Sequence, residues 1–204
     1  LAKYIDFGQG VANPGYIWNI KDVMKRAEAG EKLTIGFIGG SITQGSLSST
    51  PQKCYAYLVY EWWVRTFPQA EFKYVNAGIG GTTSQFGVAR AQDDLLDAEP
   101  DFVIAEFSVN DESTGHFEET YEGLVRKILS SKSHPALMLV HNVCYNNGAS
   151  AELVHSRIAR HYNIPSVSMQ STLYKALLNC RFDNRRITPD DLHPNDCGHE
   201  LVSM

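Results

Sequence analysis

The stretch Leu33-Thr34-Ile35-Gly36-Phe37-Ile38-Gly39-Gly40-Ser41-Ile42-Thr43-Gln44-Gly45 decides the architecture. From Leu33 to Ile38 the apolar residues run on without the in-and-out alternation of a strand that has one wet face. A continuous run of this kind belongs to a strand covered on both faces, so helices must lie above and below the sheet that contains it.

Four more short segments have the same character: Phe72 to Asn76, Phe102 to Phe107, Ala136 to Val143, and a weaker one at Ser166 to Met169. Around them, helical spacing appears over Lys21 to Ala29, Tyr55 to Thr66, Gln85 to Asp97, Phe117 to Ser130, Ala151 to Tyr162 and Ser171 to Leu178. Gly30 is placed to end the first of these helices in the left-handed conformation. Strands alternating with helices predict an α/β chain, a three-layer α/β/α sandwich around five parallel strands. With 204 residues, 43% of them hydrophobic, and no repeat, low-complexity tract or long linker, residues 1–204 read as one domain in which 1–30 form an N-terminal extension with a helix.

Composition removes several classes of partner. Eighteen Lys and Arg against 23 Asp and Glu give a net charge of -5, and no basic run interleaves with aromatics, so nucleic acid is not an expected partner. No apolar stretch approaches the ~20 residues of a membrane span, and Leu1 to Gly10 lack the pattern of a signal peptide. A soluble chain is expected; because it begins with Leu1 rather than Met, cytoplasmic and secreted origins both stay open. Cys54, Cys144, Cys180 and Cys197 form no CxxC pair and read as thiols rather than a disulfide framework. Nothing in the sequence speaks to oligomeric state.

The polar residues suited to chemistry follow the strands. Ser41 comes after the first, Gly78 to Thr83 after the second, Asn110-Asp111 after the third, and Asp190-Asp191-Leu192-His193 after the last strand and helix. Open α/β sheets bind ligands beyond the carboxyl ends of their strands, where strand order reverses, so four separate loops are expected on one rim. Two familiar motifs fail on detail. A phosphate loop needs Lys after its last glycine, and Ser46 follows Gly45; the G-x-S-x-G elbow needs Gly where Thr43 stands. Alone, Ser41 reads as a turn or cap residue.

Taken together the loops resemble the four blocks of the SGNH (GDSL-type) hydrolase superfamily, in order and over about Leu33 to His199. Gly39-Gly40-Ser41-Ile42-Thr43 resembles the nucleophile block, and Asn76-Ala77-Gly78-Ile79-Gly80-Gly81-Thr82-Thr83 the block that carries the oxyanion glycine, at Gly81. Ser108-Val109-Asn110-Asp111 is similar to the GxND block and Asp190 to His193 to the DxxH block. The resemblance implies a flavodoxin-like fold and a serine esterase: Ser41 as nucleophile, His193 as its base, Asp190 orienting His193, and the N–H of Ser41, the N–H of Gly81 and the amide of Asn110 as oxyanion donors. Asp191 competes with Asp190 for the acid role. Gly40 stands where the family has Asp, and Ser108 where it has Gly. Gly198-His199-Glu200-Leu201 resembles the start of the family's terminal helix, which the sequence cuts short at Met204.

A neutral imidazole suits proton removal from a serine hydroxyl, a carboxylate fixes its tautomer, and each preorganised oxyanion donor contributes roughly 3 kcal/mol. The expected substrate is a small-molecule or oligosaccharide ester, and the resemblance, with no long apolar lid and polar loops after the strands, implies O-acetylated carbohydrate. No cofactor and no metal are expected. A thioesterase, lysophospholipase or acyltransferase on the same fold, and a non-catalytic carbohydrate-binding module, are the alternatives. Asp190, His193, Cys197 and His199 sketch a zinc set, but their spacing matches no standard site. Trp62 and Trp63 lie in a helix that should pack on the sheet. His141, Asn142 and Tyr145 read equally as pocket wall or plain loop, and Arg185-Arg186 as a solvated loop or an anion clamp. His116, His134, His155 and His161 have no evident partner.

Overall fold

A computed structural model describes residues 1–204. The run read above as a buried strand is β2 (Lys32–Gly39), and Leu33, Ile35, Phe37 and Ile38 are each 2% exposed or less. The other strands are β1 (Val11–Asn13), β3 (Glu71–Gly78), β4 (Phe102–Glu106), β5 (Ala136–His141) and β6 (Ser166–Ser168). They form one six-stranded sheet in the order β1-β6-β5-β4-β2-β3, parallel throughout except for β1, which runs antiparallel to β6.

The five parallel strands expected are all present, and a sixth, antiparallel strand that was not expected joins them at the edge. Val11–Asn13 lies in the segment read as an N-terminal extension; three residues at a sheet edge, with Val11 exposed, are too few for any periodic signal. Tertiary contacts hold it instead: Asn13 donates from its amide to the carbonyls of Ala159 and Ile164.

The helices are α1 (Trp18–Glu28), α2 (Ser41–Gln44), α3 (Tyr55–Thr66), α4 (Ser84–Asp94), α5 (Gly115–Leu129), α6 (Glu152–His161), α7 (Lys175–Leu178) and α8 (Asp196–Val202). Gly30, at φ +81°, follows the end of α1. The chain passes from β2 to β3 on one side, then returns across β2 to β4 and continues to β5 and β6. Right-handed crossovers moving in opposite directions must lie on opposite faces. Accordingly, one apolar core joins α1, α3 and α8 to Leu33, Ile35, Phe37, Phe102 and Ile104, while the other joins α4, α5 and α6 to Ile38, Val103, Ala105, Leu137 and Leu139. Strand order reverses at β2, so the switch point lies at its carboxyl end, where Gly40 and Ser41 begin the next turn.

Candidate active site

The chain leaves β2 at Gly39 and enters α2 at Ser41, so the serine occupies the first helical position. N–H groups in a first helical turn have no intrahelical acceptor, which leaves the Ser41 amide free for a ligand. The side chain is almost buried, and its Oγ lies 2.9 Å from Nε2 of His193. On the far side of the ring, Nδ1 of His193 lies 2.7 Å from Oδ2 of Asp190. The other oxygen of Asp190 accepts from the backbone N–H groups of His193 and Leu192, at 2.8 and 3.1 Å, so the acid and the ring are fixed within one turn. Burial alone would raise the Asp190 carboxyl, but the hydrogen bonds from His193 and Leu192 outweigh it and hold it down at about 2. Asp190 is thus a carboxylate at any ordinary pH, and Nδ1 carries the proton that it accepts.

Asp191 points elsewhere. At φ +67° it turns its carboxylate to the side chains of Asn184 and Arg185, 3.7 Å from the latter, and its carbonyl accepts from the Tyr145 N–H. Arg185 also donates to the Pro189 carbonyl, so it braces the loop that carries Asp190.

The second loop reaches the serine through Gln44, whose Oε1 accepts the Gly80 N–H at 2.9 Å; a Cβ on Gly80 would lie 3.6 Å from that of Ser41. Gly81 follows at φ +71°, a conformation costly for residues with a Cβ, and its N–H has no acceptor within the protein. The third loop brings Asn110 against Gly40. A Cβ at position 40 would fall 2.2 Å from Asn110 Oδ1, which gives a steric reason for glycine where the family has Asp. Ser108, in place of the family's Gly, points inward: its Oγ lies 3.1 Å from Glu106 and 3.0 Å from the Asn142 carbonyl. Glu106 is fully buried, and burial pushes its carboxyl up to about 7 against the hydrogen bonds that the N–H and hydroxyl of Ser108 donate to it.

The remaining sequence candidates lie apart from this cluster. His199 has both ring nitrogens on backbone, Nδ1 accepting from Tyr55 N–H and Nε2 facing the Ser46 carbonyl, and no group of three His, Cys, Asp or Glu side chains is arranged to hold a metal ion. His141, Asn142 and Tyr145 are buried rather than lining an open rim. Trp63 packs in the core against Phe67, Phe72 and Phe102, whereas Trp62 is 43% exposed. A large apolar cavity of about 1120 Å³ lies by Met24, Val59, Trp62, Met138 and Met204, and none of Ser41, Asp190 or His193 lines it. All four cysteines are free thiols.

Sequence reading missed His155. It is fully buried, its Nε2 lies 3.0 Å from Oδ2 of Asp111, and its ring stacks on Tyr121 at 3.6 Å. Its partner is 44 residues away in sequence, so no local spacing could have announced the pair.

The fold that carries these residues is shared with known proteins. A two-domain esterase active on acetylated mannans, co-crystallised with mannopentaose, superposes with a TM-score of 0.97 at 69% identity over 98% of this chain. The chain spans only 55% of that protein's length. An acetylxylan esterase from Geobacillus stearothermophilus has the same fold, with a TM-score of 0.70 at 20% identity over 86% of this chain and 93% of its own. Thioesterase 1/protease 1/lysophospholipase L1 of Escherichia coli strain K12 is 30% identical over 189 residues, 87% of this chain and 82% of its own. The model of the GDSL-like lipase/acylhydrolase family matches residues 37–201, which run from β2 through Ser41 and His193 into α8, and the chain belongs to that family.

Proposed function

We propose that this chain is a serine esterase that removes short acyl groups, acetyl above all, from O-acetylated carbohydrate. The observation that carries the reading is the relay of Asp190, His193 and Ser41, at 2.7 and 2.9 Å, on a chain of an acylhydrolase family. Ser41 Oγ attacks the ester carbonyl carbon while Nε2 of His193 takes its proton. The N–H groups of Ser41 and Gly81 and the amide of Asn110 receive the negative charge that develops on the carbonyl oxygen. The imidazolium then returns the proton to the departing alcohol oxygen. Water, deprotonated by the same nitrogen, cleaves the acyl-serine and releases the acid.

Support for carbohydrate as the alcohol comes from the 69% identical esterase, which is active on acetylated mannans. Support for a short acyl group comes from the same esterase, which acts on acetylated substrates, and from Ser41, Asp190 and His193 lying outside the lining of the large apolar cavity. The test is acetate release from acetylated mannan and xylan, together with kcat/KM for p-nitrophenyl esters from acetyl to octanoyl. A real acyl channel gains about 0.8 kcal/mol per buried methylene, so rates that rise with length and no acetate from either polymer would transfer the reading to the thioesterase or lysophospholipase class.

A further inference from the structure

Asp111 stands directly after Asn110, and its two oxygens face different parts of the fold. Oδ1 accepts the N–H of Ser84 at 2.8 Å, and Ser84 is the first residue of α4, three residues beyond Gly81. Oδ2 faces Nε2 of His155 at 3.0 Å. Both side chains are fully buried, and burial lowers the His155 pKa against the pull of Asp111, so a neutral ring donates from Nε2 to the carboxylate. The ring is held in turn by Tyr121, stacked at an interplanar angle of 8°. The turn that bears Asp111 is tight: the N–H groups of Asn110 and Asp111 both donate to the Phe107 carbonyl, at 3.0 and 2.9 Å. At the start of α6 the Ala151 N–H donates to the Ser108 carbonyl at 2.6 Å, so the element carrying His155 is already fastened to the same turn.

A single buried carboxylate therefore ties the loop of Gly81 to the loop of Asn110, and a histidine from a third element fixes that carboxylate. We infer that Asp111, held by His155, is a positioning residue that sets two of the three oxyanion donors, Gly81 and Asn110, relative to each other. The inference rests on the assignment of Gly81 and Asn110 as donors. Preorganised donors act only when aimed at the place where charge develops, and a misplacement of about 1 Å costs on the order of 100-fold in rate.

The experiment compares Asp111→Ala, Asp111→Asn, His155→Gln, Asn110→Ala and the Asn110→Ala/Asp111→Ala double variant. Rates with p-nitrophenyl acetate are normalised to the Ser41 sites that a fluorophosphonate titrates. Asp111→Ala should lower kcat by about 100-fold with KM little changed. Asp111→Asn should recover most of that rate, because its Oδ1 still accepts from Ser84 and its amide can donate to the other tautomer of His155. In the Asn110→Ala background the Asp111→Ala loss should shrink several-fold, since one of the two donors it aligns is gone.

A structural role alone would lower Tm and move kcat equally in both backgrounds, and that result overturns the inference. If Asp111→Ala does not fold, His155→Gln carries the same comparison, and unchanged kcat per titrated site there overturns it equally. Full kcat in Asn110→Ala removes the donor assignment, and the positioning role with it. Loss in Asn110→Ala alongside unaffected Asp111 variants overturns the positioning role alone.

Discussion

Ser41 Oγ faces a histidine nitrogen at 2.9 Å, so its reactivity depends on the protonation of one ring. Ser41→Ala should abolish ester hydrolysis, and the wild type, unlike this variant, should gain one fluorophosphonate adduct by intact mass. Since His193 must be neutral to accept the proton, kcat/KM should fall on acidification through one ionisation, whereas a flat profile in the folded enzyme would remove that role. Glu106 yields a separate, stability-based prediction. Its folded carboxyl keeps a proton up to about 7, while an unfolded glutamate loses it near ~4.3, so the folded state binds more protons in that window. The contribution is complete below the unfolded value and is lost as pH rises through the folded one. Glu106→Gln should therefore be more stable than wild type by about 3 kcal/mol at pH 8 and nearly equal to it at pH 4, measured by urea unfolding.

At the scale of elements, His193, the proposed base, is carried by a loop between α7 and α8 that owes its shape to its flanks. Asn195 caps α8 through Oδ1, which accepts the Gly198 N–H at 3.1 Å, and its amide donates to the Arg186 carbonyl at 3.2 Å. His199 in the same helix joins α3 to the Ser46 turn through its two ring nitrogens. Asn195→Ala should cost about 1 kcal/mol, read as a lower Tm, with kcat per titrated site little changed because Asp190 still holds His193. A large fall in kcat without a change in Tm would mean that Asn195 acts on the site itself.

At the scale of the molecule, the switch point at β2 explains why the candidate site gathers at one end of the sheet: Ser41 follows β2, Gly81 follows β3 and Asn110 follows β4, three adjacent strands of which β3 is the sheet's edge. No helix of the chain is long and apolar enough to cross a membrane. Activity should decline steadily from acetyl to octanoyl esters, and polymeric acetylated mannan should be deacetylated without any requirement for a lipid surface. Activation by micelles or vesicles would contradict that reading.

Much of this was legible before any coordinates. The continuous apolar run of β2 and the helical spacing of α3 at its observed bounds Tyr55–Thr66 are local patterns, because period acts between near neighbours, whereas Ser41, Gly81, Asn110, Asp190 and His193 stood out only through the resemblance of their four blocks to a family. What the tertiary structure decided lies between residues far apart. It chose Asp190 over Asp191 by aiming one carboxylate at His193 and the other at Asn184. It added β1 to the edge of the sheet, buried Glu106 beneath Ser108, and paired His155 with Asp111 across 44 residues. Such pairs form only when long chain segments are closed and water is expelled between them, and no sequence window records which polar groups will then be left facing each other.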